Sequence, residues 1–180
     1  MSRIGRMPVA IPKGVEVKAD AREVRVKGPK GELSSRVLPG LSVAVENGEV
    51  RISRASDEPQ QRAFHGLLRS LVANSVLGVT KGFSKDLEIV GVGYKAEMRG
   101  KAVVFSLGYS HPIHFPIPEG VSVALDAKAG KLTVSGADRQ KVGQTAAEMR
   151  KLRLPDPYKA KGIKYAGEVI RRKVGKAGGK

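Results

Sequence analysis

The sequence predicts an α+β fold: two similar tandem domains, each an antiparallel β-sheet packed against one α-helix, followed by a basic C-terminal extension. Three observations predict it. The segment Leu38-Pro39-Gly40-Leu41-Ser42-Val43-Ala44-Val45 returns as Ile117-Pro118-Glu119-Gly120-Val121-Ser122-Val123-Ala124-Leu125. Each copy opens a hairpin of period-two alternation that runs into an amphipathic helix. The positive charge then collects beyond the second helix.

The first strand signals lie at residues 15–17, 24–26 and 32–38, with a turn at Gly28-Pro29-Lys30-Gly31. The repeated segment follows. Asn47-Gly48 is a strong two-residue hairpin signal, and it sets Val45 opposite Val50 and Val43 opposite Ile52 on one face. Asp57 is placed to cap a helix, and Glu58-Pro59 suit its opening turn. Phe64, Leu67, Leu68, Leu71, Val72, Val76 and Val79 form its apolar stripe, with His65 beside it. The second copy repeats the order. Strand signals lie at 87–92, 95–98 and 102–107, with a turn at Arg99-Gly100. The hairpin turn spans 127–130 and sets Leu125 opposite Leu132 and Val123 opposite Val134. Asp138 stands where Asp57 stands, and Val142, Ala146, Met149 and Leu152 form the stripe, ended by Pro155 and Pro157. Leu68 corresponds to Met149 and Leu71 to Leu152. The domains are therefore expected at 1–82 and 83–154, with a tail at 155–180. Each domain is large enough for only a small core.

The 180 residues carry 33 Lys+Arg against 17 Asp+Glu, a net charge of +16, with a pI near 10.3. Residues 1–82 hold 14 basic and 8 acidic side chains, net +6; residues 83–149 hold 8 and 7, net +1; residues 150–180 hold 11 and 2, net +9. A near-neutral middle beside a strongly basic end points to a placed surface for a polyanion, nucleic acid before membrane. The absence of cysteine excludes disulfides, Cys-type zinc sites and thiol chemistry. No apolar run has the roughly 18 residues of a membrane span. The opening Met1-Ser2-Arg3-Ile4-Gly5-Arg6 has neither a secretory apolar core nor the glycine that myristoylation needs.

The motifs offer no catalysis. Gly91-Val92-Gly93-Tyr94-Lys95-Ala96 has the spacing of a dinucleotide fingerprint, but a strand rather than a helix follows it, so a bulge or close packing is the reading. His111 and His114 lack a carboxylate cluster and are read as a strand or turn pair rather than a metal site. No triad, acid pair or cofactor constellation is present, which argues against an RNA-modifying enzyme. With 4% aromatic residues and no tryptophan, no base-stacking platform is evident. Binding by phosphate contact and shape remains. A DNA-compacting nucleoid protein is the alternative, and the near-neutral middle argues against it.

The expected RNA surface is the end of the second helix and the segment after it: Arg150, Lys151, Arg153, Pro155, Tyr158, Lys159, Lys161, Gly162, Lys164, Tyr165, Arg171, Arg172 and Lys173. The two prolines are expected to stiffen an extended arm from which Lys159, Lys161 and Lys164 project, outweighing Lys176 and Lys180 in the Gly-rich end. Gly162 is expected either to let RNA approach the backbone or to adopt a φ that a side chain excludes. Since the segment follows both stripes, removal of 154–180 is expected to leave both cores complete.

Pro155-Asp156-Pro157-Tyr158-Lys159-Ala160-Lys161-Gly162-Ile163 resembles the signature of the bacterial large-subunit ribosomal protein six family. Residues 2–6, Ile11-Pro12-Lys13-Gly14-Val15 and Leu107-Gly108-Tyr109-Ser110-His111-Pro112 are similar to that family too. The resemblance implies a non-enzymatic constituent of the large subunit of the cytoplasmic ribosome, without cofactor, metal or small-molecule substrate. It implies partners in large-subunit ribosomal RNA and neighbouring large-subunit proteins. The RNA is bound through the C-terminal half and tail, near the stalk base, with translation factors nearby.

Overall fold

The computed structural model describes residues 4–126 and 129–176. Ser2, Arg3, the first half of the 127–130 turn and the terminal residues through Lys180 lie outside the described residues. The chain divides into two compact units. One runs through Phe83 and includes Ala137–Arg139; the other holds Ser84–Gly136 and the chain from Gln140 onward.

The first unit contains β1 (Val9–Ala10), β2 (Glu16–Ala19), β3 (Glu23–Gly28), β4 (Gly31–Arg36), β5 (Leu41–Glu46), β6 (Glu49–Arg54) and α1 (Pro59–Thr80). They form two three-stranded sheets, ordered β2-β3-β4 and β1-β6-β5. Alternation decides which side chains turn inward. Val24 and Val26 on β3, and Val50 and Ile52 on β6, meet Leu68, Val72, Val76 and Val79 of α1 in one buried cluster. The β5–β6 register sets Val43 against Ile52 and Val45 against Val50, as the turn signal implies. Asn47 and Gly48 both take positive φ, 50° and 76°, which this tight turn requires. The β3–β4 turn closes the C-terminal end of α1. The Lys30 amide donates to the Val79 carbonyl at 3.0 Å, satisfying an acceptor the helix leaves unpaired. A Cβ on Gly28 would stand 2.7 Å from the Val79 side chain, so the glycine lets the turn close on the helix.

Two details of α1 differ from the sequence reading. Glu58, not Asp57, is the N-cap residue, and it makes no side-chain cap bond. The Asp57 carboxylate is drawn instead to the Arg54 guanidinium, whose hydrogen bond holds that carboxyl below its ordinary range. Leu67 is half exposed, and His65 is buried within the stripe rather than beside it. The imidazole is accommodated because Nε2–H donates to the Ile52 carbonyl at 2.8 Å while Nδ1 faces Arg54 at 3.0 Å.

The second unit repeats this plan with β7 (Phe83–Val90), β8 (Lys95–Arg99), β9 (Ala102–Ser106), β10 (Ile113–Pro116), β11 (Val121–Asp126), β12 (Lys131–Gly136) and α2 (Arg139–Leu152). The sheet β8-β9-β10 corresponds to β2-β3-β4, and the run β11-β12-β7 to β5-β6-β1. The repeat extends to single side chains. Ser42 and Ser53 pair their hydroxyls across the first hairpin at 2.9 Å, and Ser122 and Ser135 do so across the second at 3.0 Å. Val123 faces Val134, and Leu125 faces Leu132. Val142, Ala146 and Met149 of α2 are buried with Phe105, Leu87, Leu132 and Val134. The Gly91–Gly93 string turns the chain into β8, a strand, and His114 lies on β10 opposite Val104.

One strand has no counterpart among the described residues of the first unit. β13 (Gly162–Tyr165) pairs antiparallel with β7, setting Ile163 against Ile89 and Tyr165 against Leu87. It is the edge of the four-stranded sheet β11-β12-β7-β13. Ile163 is fully buried and Ala160 nearly so. The segment from 155 is therefore not an appendage at its start: residues 162–165 complete the second unit's sheet. Removing 154–180 would strip this edge strand and its buried Ile163, so the expectation that both cores survive that removal is overturned.

Candidate nucleic-acid interface

The basic segment begins on α2, whose last turn carries Arg150 and Lys151. Cations there complement the partial negative charge of the helix end. After Arg153 the chain makes a closed turn rather than an extended arm. Asp156 organises it. Its amide donates to the Lys161 carbonyl at 2.9 Å, its carbonyl accepts from the Ala160 amide at 2.8 Å, and its carboxylate accepts from the Lys159 amide at 2.9 Å. Ala160 takes a positive φ of 57° to close the loop. Tyr158 and Lys159 are left exposed on it, and Lys161 is half buried.

Gly162 then brings two backbones together, and the backbone it approaches belongs to its own chain. Its φ is +143°, and a Cβ would stand 2.7 Å from the Leu154 carbonyl oxygen and 2.8 Å from that of Arg153. The neighbouring Ile163 amide donates to the Arg153 carbonyl at 2.8 Å. The glycine joins β13 to the end of α2, and the close approach it allows here is to its own chain, at a φ that a side chain disfavours. Lys164 is likewise engaged, paired with Glu88 at 3.0 Å and largely covered.

Beyond β13 the chain folds back. Glu168 binds Arg150 in bidentate fashion, with Nε at 3.0 Å from Oε2 and Nη2 at 2.5 Å from Oε1. The same Oε2 accepts the Tyr165 amide at 3.0 Å. The Arg150 guanidinium also lies 5.6 Å from the centroid of the Tyr165 ring. These bonds, the one from Arg150 foremost, hold the Glu168 carboxyl below its usual range; Glu168 in turn raises Arg150 above its own. Further on, the Lys173 amide donates to the Pro157 carbonyl at 2.8 Å. The tail thus docks on the turn, with Arg171, Arg172 and Lys173 exposed along it.

The thirteen expected residues therefore separate by what they touch. Lys151, Lys159, Arg171, Arg172 and Lys173 are exposed and, among the described residues, meet no carboxylate. Arg150, Gly162, Lys164 and Tyr165 are used within the fold. Pro155 enters the turn half buried, Lys161 is half buried where its carbonyl closes the turn, and Tyr158 is exposed. Arg153 has company that the sequence reading missed. Its guanidinium lies 4.8 Å from the centroid of the Tyr109 ring, and the Tyr109 hydroxyl donates to the Leu152 carbonyl at 3.1 Å. Tyr109 is 43 positions earlier than Leu152 in sequence, so only the folded sheet brings them together. Among the described residues, no group of three or more metal-ligating side chains occurs, and no helix is long and apolar enough to cross a membrane.

Comparison with known proteins agrees with this architecture. The family model described as Ribosomal protein L6 matches residues 11–82 and 90–166, one stretch in each half of the chain. The second stretch runs through β13 to its end. The Large ribosomal subunit protein uL6 of Koribacter versatilis (strain Ellin345) is 56% identical over 181 residues, spanning 100% of both chains. Its namesake from Persephonella marina (strain DSM 14350 / EX-H1) is also 56% identical over the full length of both. That from Anaeromyxobacter sp. (strain Fw109-5) is 54% identical over 99% of each. With matches across both repeats, the docked turn and β13, the chain belongs to the ribosomal protein L6 family.

Proposed function

We propose that this protein is a structural constituent of the large subunit of the cytoplasmic ribosome, bound to large-subunit ribosomal RNA through its C-terminal half. Its relatives carry the name of large-subunit proteins over their whole length, and the family is structural rather than enzymatic. The observation that carries the RNA reading is the docked basic tail. Arg171, Arg172 and Lys173 are exposed on a segment anchored at Glu168 and at Pro157, with Lys151 and Lys159 exposed on the helix end and turn. Anchoring lowers the ordering entropy lost on contact, and the cations supply the sequence-independent phosphate attraction. Arg forks suit phosphate especially well.

A position near the stalk base, close to the RNA visited by translation factors and beside other large-subunit proteins, goes with this reading. The test is a sucrose-gradient profile of a lysate carrying tagged protein. It should sediment with the large subunit and stay there in moderate salt. Sedimentation with the nucleoid, or in the free pool alone, would contradict the proposal.

A further inference from the structure

Two sequence strings with no assigned role converge on one cluster in the second unit. Gly91-Val92-Gly93-Tyr94 is a turn into β8, and Leu107-Gly108-Tyr109 leaves β9. The Tyr94 ring is seated against both glycines. A Cβ on Gly91 would stand 2.6 Å from it, and one on Gly108 3.0 Å. Gly91 and Gly108 also take φ of +154° and +75°. The two glycines therefore make room for one ring, which a side chain at either place would displace.

Tyr109 follows directly, and its hydroxyl is fixed on the Leu152 carbonyl at 3.1 Å. Arg153 lays its guanidinium over the Tyr109 ring at 4.8 Å. The tyrosines next to it, Tyr109 first and Tyr94 also, push that guanidinium above its ordinary value, and the Tyr94 ring packs against Gly108, the residue before Tyr109. Among the described residues, no carboxylate pairs with Arg153. Tyr109 remains 45% exposed while stacked. The cluster thus has two aromatic rings and one planar cation, and the Tyr109 side of it is exposed, on a unit whose exposed cations point to RNA.

We propose that Arg153 and Tyr109, backed by Tyr94, form a stacking site for one unpaired nucleobase of the bound RNA. This deepens the RNA-binding reading and rests on it. A phosphate would need only a charge, which Lys151 nearby already offers. A guanidinium placed 4.8 Å from the ring centroid of an anchored phenol adds planar groups as well, and planar groups recognise splayed-out bases. Stacking on an aromatic ring is sequence-tolerant, so the site fixes a bulged or looped nucleotide without reading its identity. The scarcity of aromatics in the sequence does not argue against this, because two of the four tyrosines meet here.

The test uses the full chain and large-subunit ribosomal RNA in a filter-binding salt titration. Arg153→Lys keeps the charge and loses the plane. It should weaken binding by roughly 5- to 100-fold with the salt slope unchanged, the range expected of one stacked base. Tyr109→Phe keeps the ring and should bind within a few-fold of wild type. Tyr109→Trp guards against misfolding artefacts. The chain has no tryptophan, so this variant carries one indole, which should bind RNA and be quenched on binding. Wild-type affinity for Arg153→Lys, or an indole whose emission ignores bound RNA, would overturn the stacking site while leaving the broader reading intact. Failure of the wild-type chain to bind the RNA at all would overturn both.

Discussion

Glu168 grips Arg150 with both carboxylate oxygens, and one of those oxygens also takes the amide of Tyr165. An acid in the most basic part of the chain thus orders that part. The bond ties the end of α2 to the residue where the chain leaves β13, and it sets the direction in which Arg171, Arg172 and Lys173 run. Arg150 therefore positions the tail, and under the proposed function its effect on RNA would pass through that tail.

Loss of this clasp should free the tail without unfolding the unit. Glu168→Gln is expected to raise amide exchange at residues 166–173, including the Lys173 amide bonded to Pro157. The clasp is partly exposed and charge-assisted, so the cost to global stability should be only about 1–2 kcal/mol. Hydrogen-exchange mass spectrometry with urea unfolding checks both numbers. Unchanged exchange in the tail would show that the clasp does not hold it.

The same bond predicts a pH window. The Glu168 carboxyl titrates below its ordinary value in the folded protein, and an unfolded glutamate titrates near about 4.3. A lowered carboxyl contributes stability that is fully present above the unfolded value and lost as pH falls through the folded one. Tail docking should be constant from about pH 8 to 5 and be released only in stronger acid. Exchange at the Lys173 amide against pH measures this. Release between about pH 5 and 7 would point to a different titrating group.

Truncation should divide the basic segment at Glu168. A chain ending there keeps β13 and the clasp, so it should fold normally yet lose salt-sensitive RNA affinity. A chain ending at Arg153 loses Ile163, which is fully buried, along with its whole strand. It should unfold the second unit. Ile163→Ala alone should cost about 2–5 kcal/mol. Circular dichroism and thermal melts of the truncations distinguish these outcomes, and a stably folded second unit without β13 would contradict the structure.

Gly162→Ala should act on stability before it acts on RNA. The backbone φ of +143° disfavours any side chain, and the new Cβ would meet the Leu154 carbonyl at 2.7 Å. The strain alone is about 1–3 kcal/mol. Urea unfolding should show the loss, while affinity per folded molecule stays near wild type. Reduced affinity in a fully stable variant would restore the direct RNA contact expected from the sequence.

The repeats were legible because they rest on local chemistry. Alternating valines, Asn47-Gly48 and the helical stripes each act within a few residues, and the hairpin registers followed from them. What the sequence hid depends on contacts distant along the chain. β13 pairs with β7 across more than seventy residues, and its four residues, Gly162-Ile163-Lys164-Tyr165, show no convincing alternation among so many lysines. Gly162 reads as an opening for a ligand until the carbonyl of Leu154 is seen against it. Asp57 has the right residue type for a cap, but Arg54 competes for its carboxylate. Arg153 was legible as a cation, whereas Tyr109 beneath it was not.

The central claim is that anchored cations after α2 bind large-subunit ribosomal RNA through phosphates. Its most direct test is the affinity of the full chain for that RNA between about 50 and 200 mM salt, beside the triple variant Arg171→Gln, Arg172→Gln, Lys173→Gln. Engagement of about six to ten phosphates should lower wild-type affinity by roughly three to five orders of magnitude over that range. The variant should bind more weakly at low salt, with a log–log slope shallower by about two to three. A flat wild-type response, or the same slope for both proteins, would contradict the account and move the RNA surface off the tail.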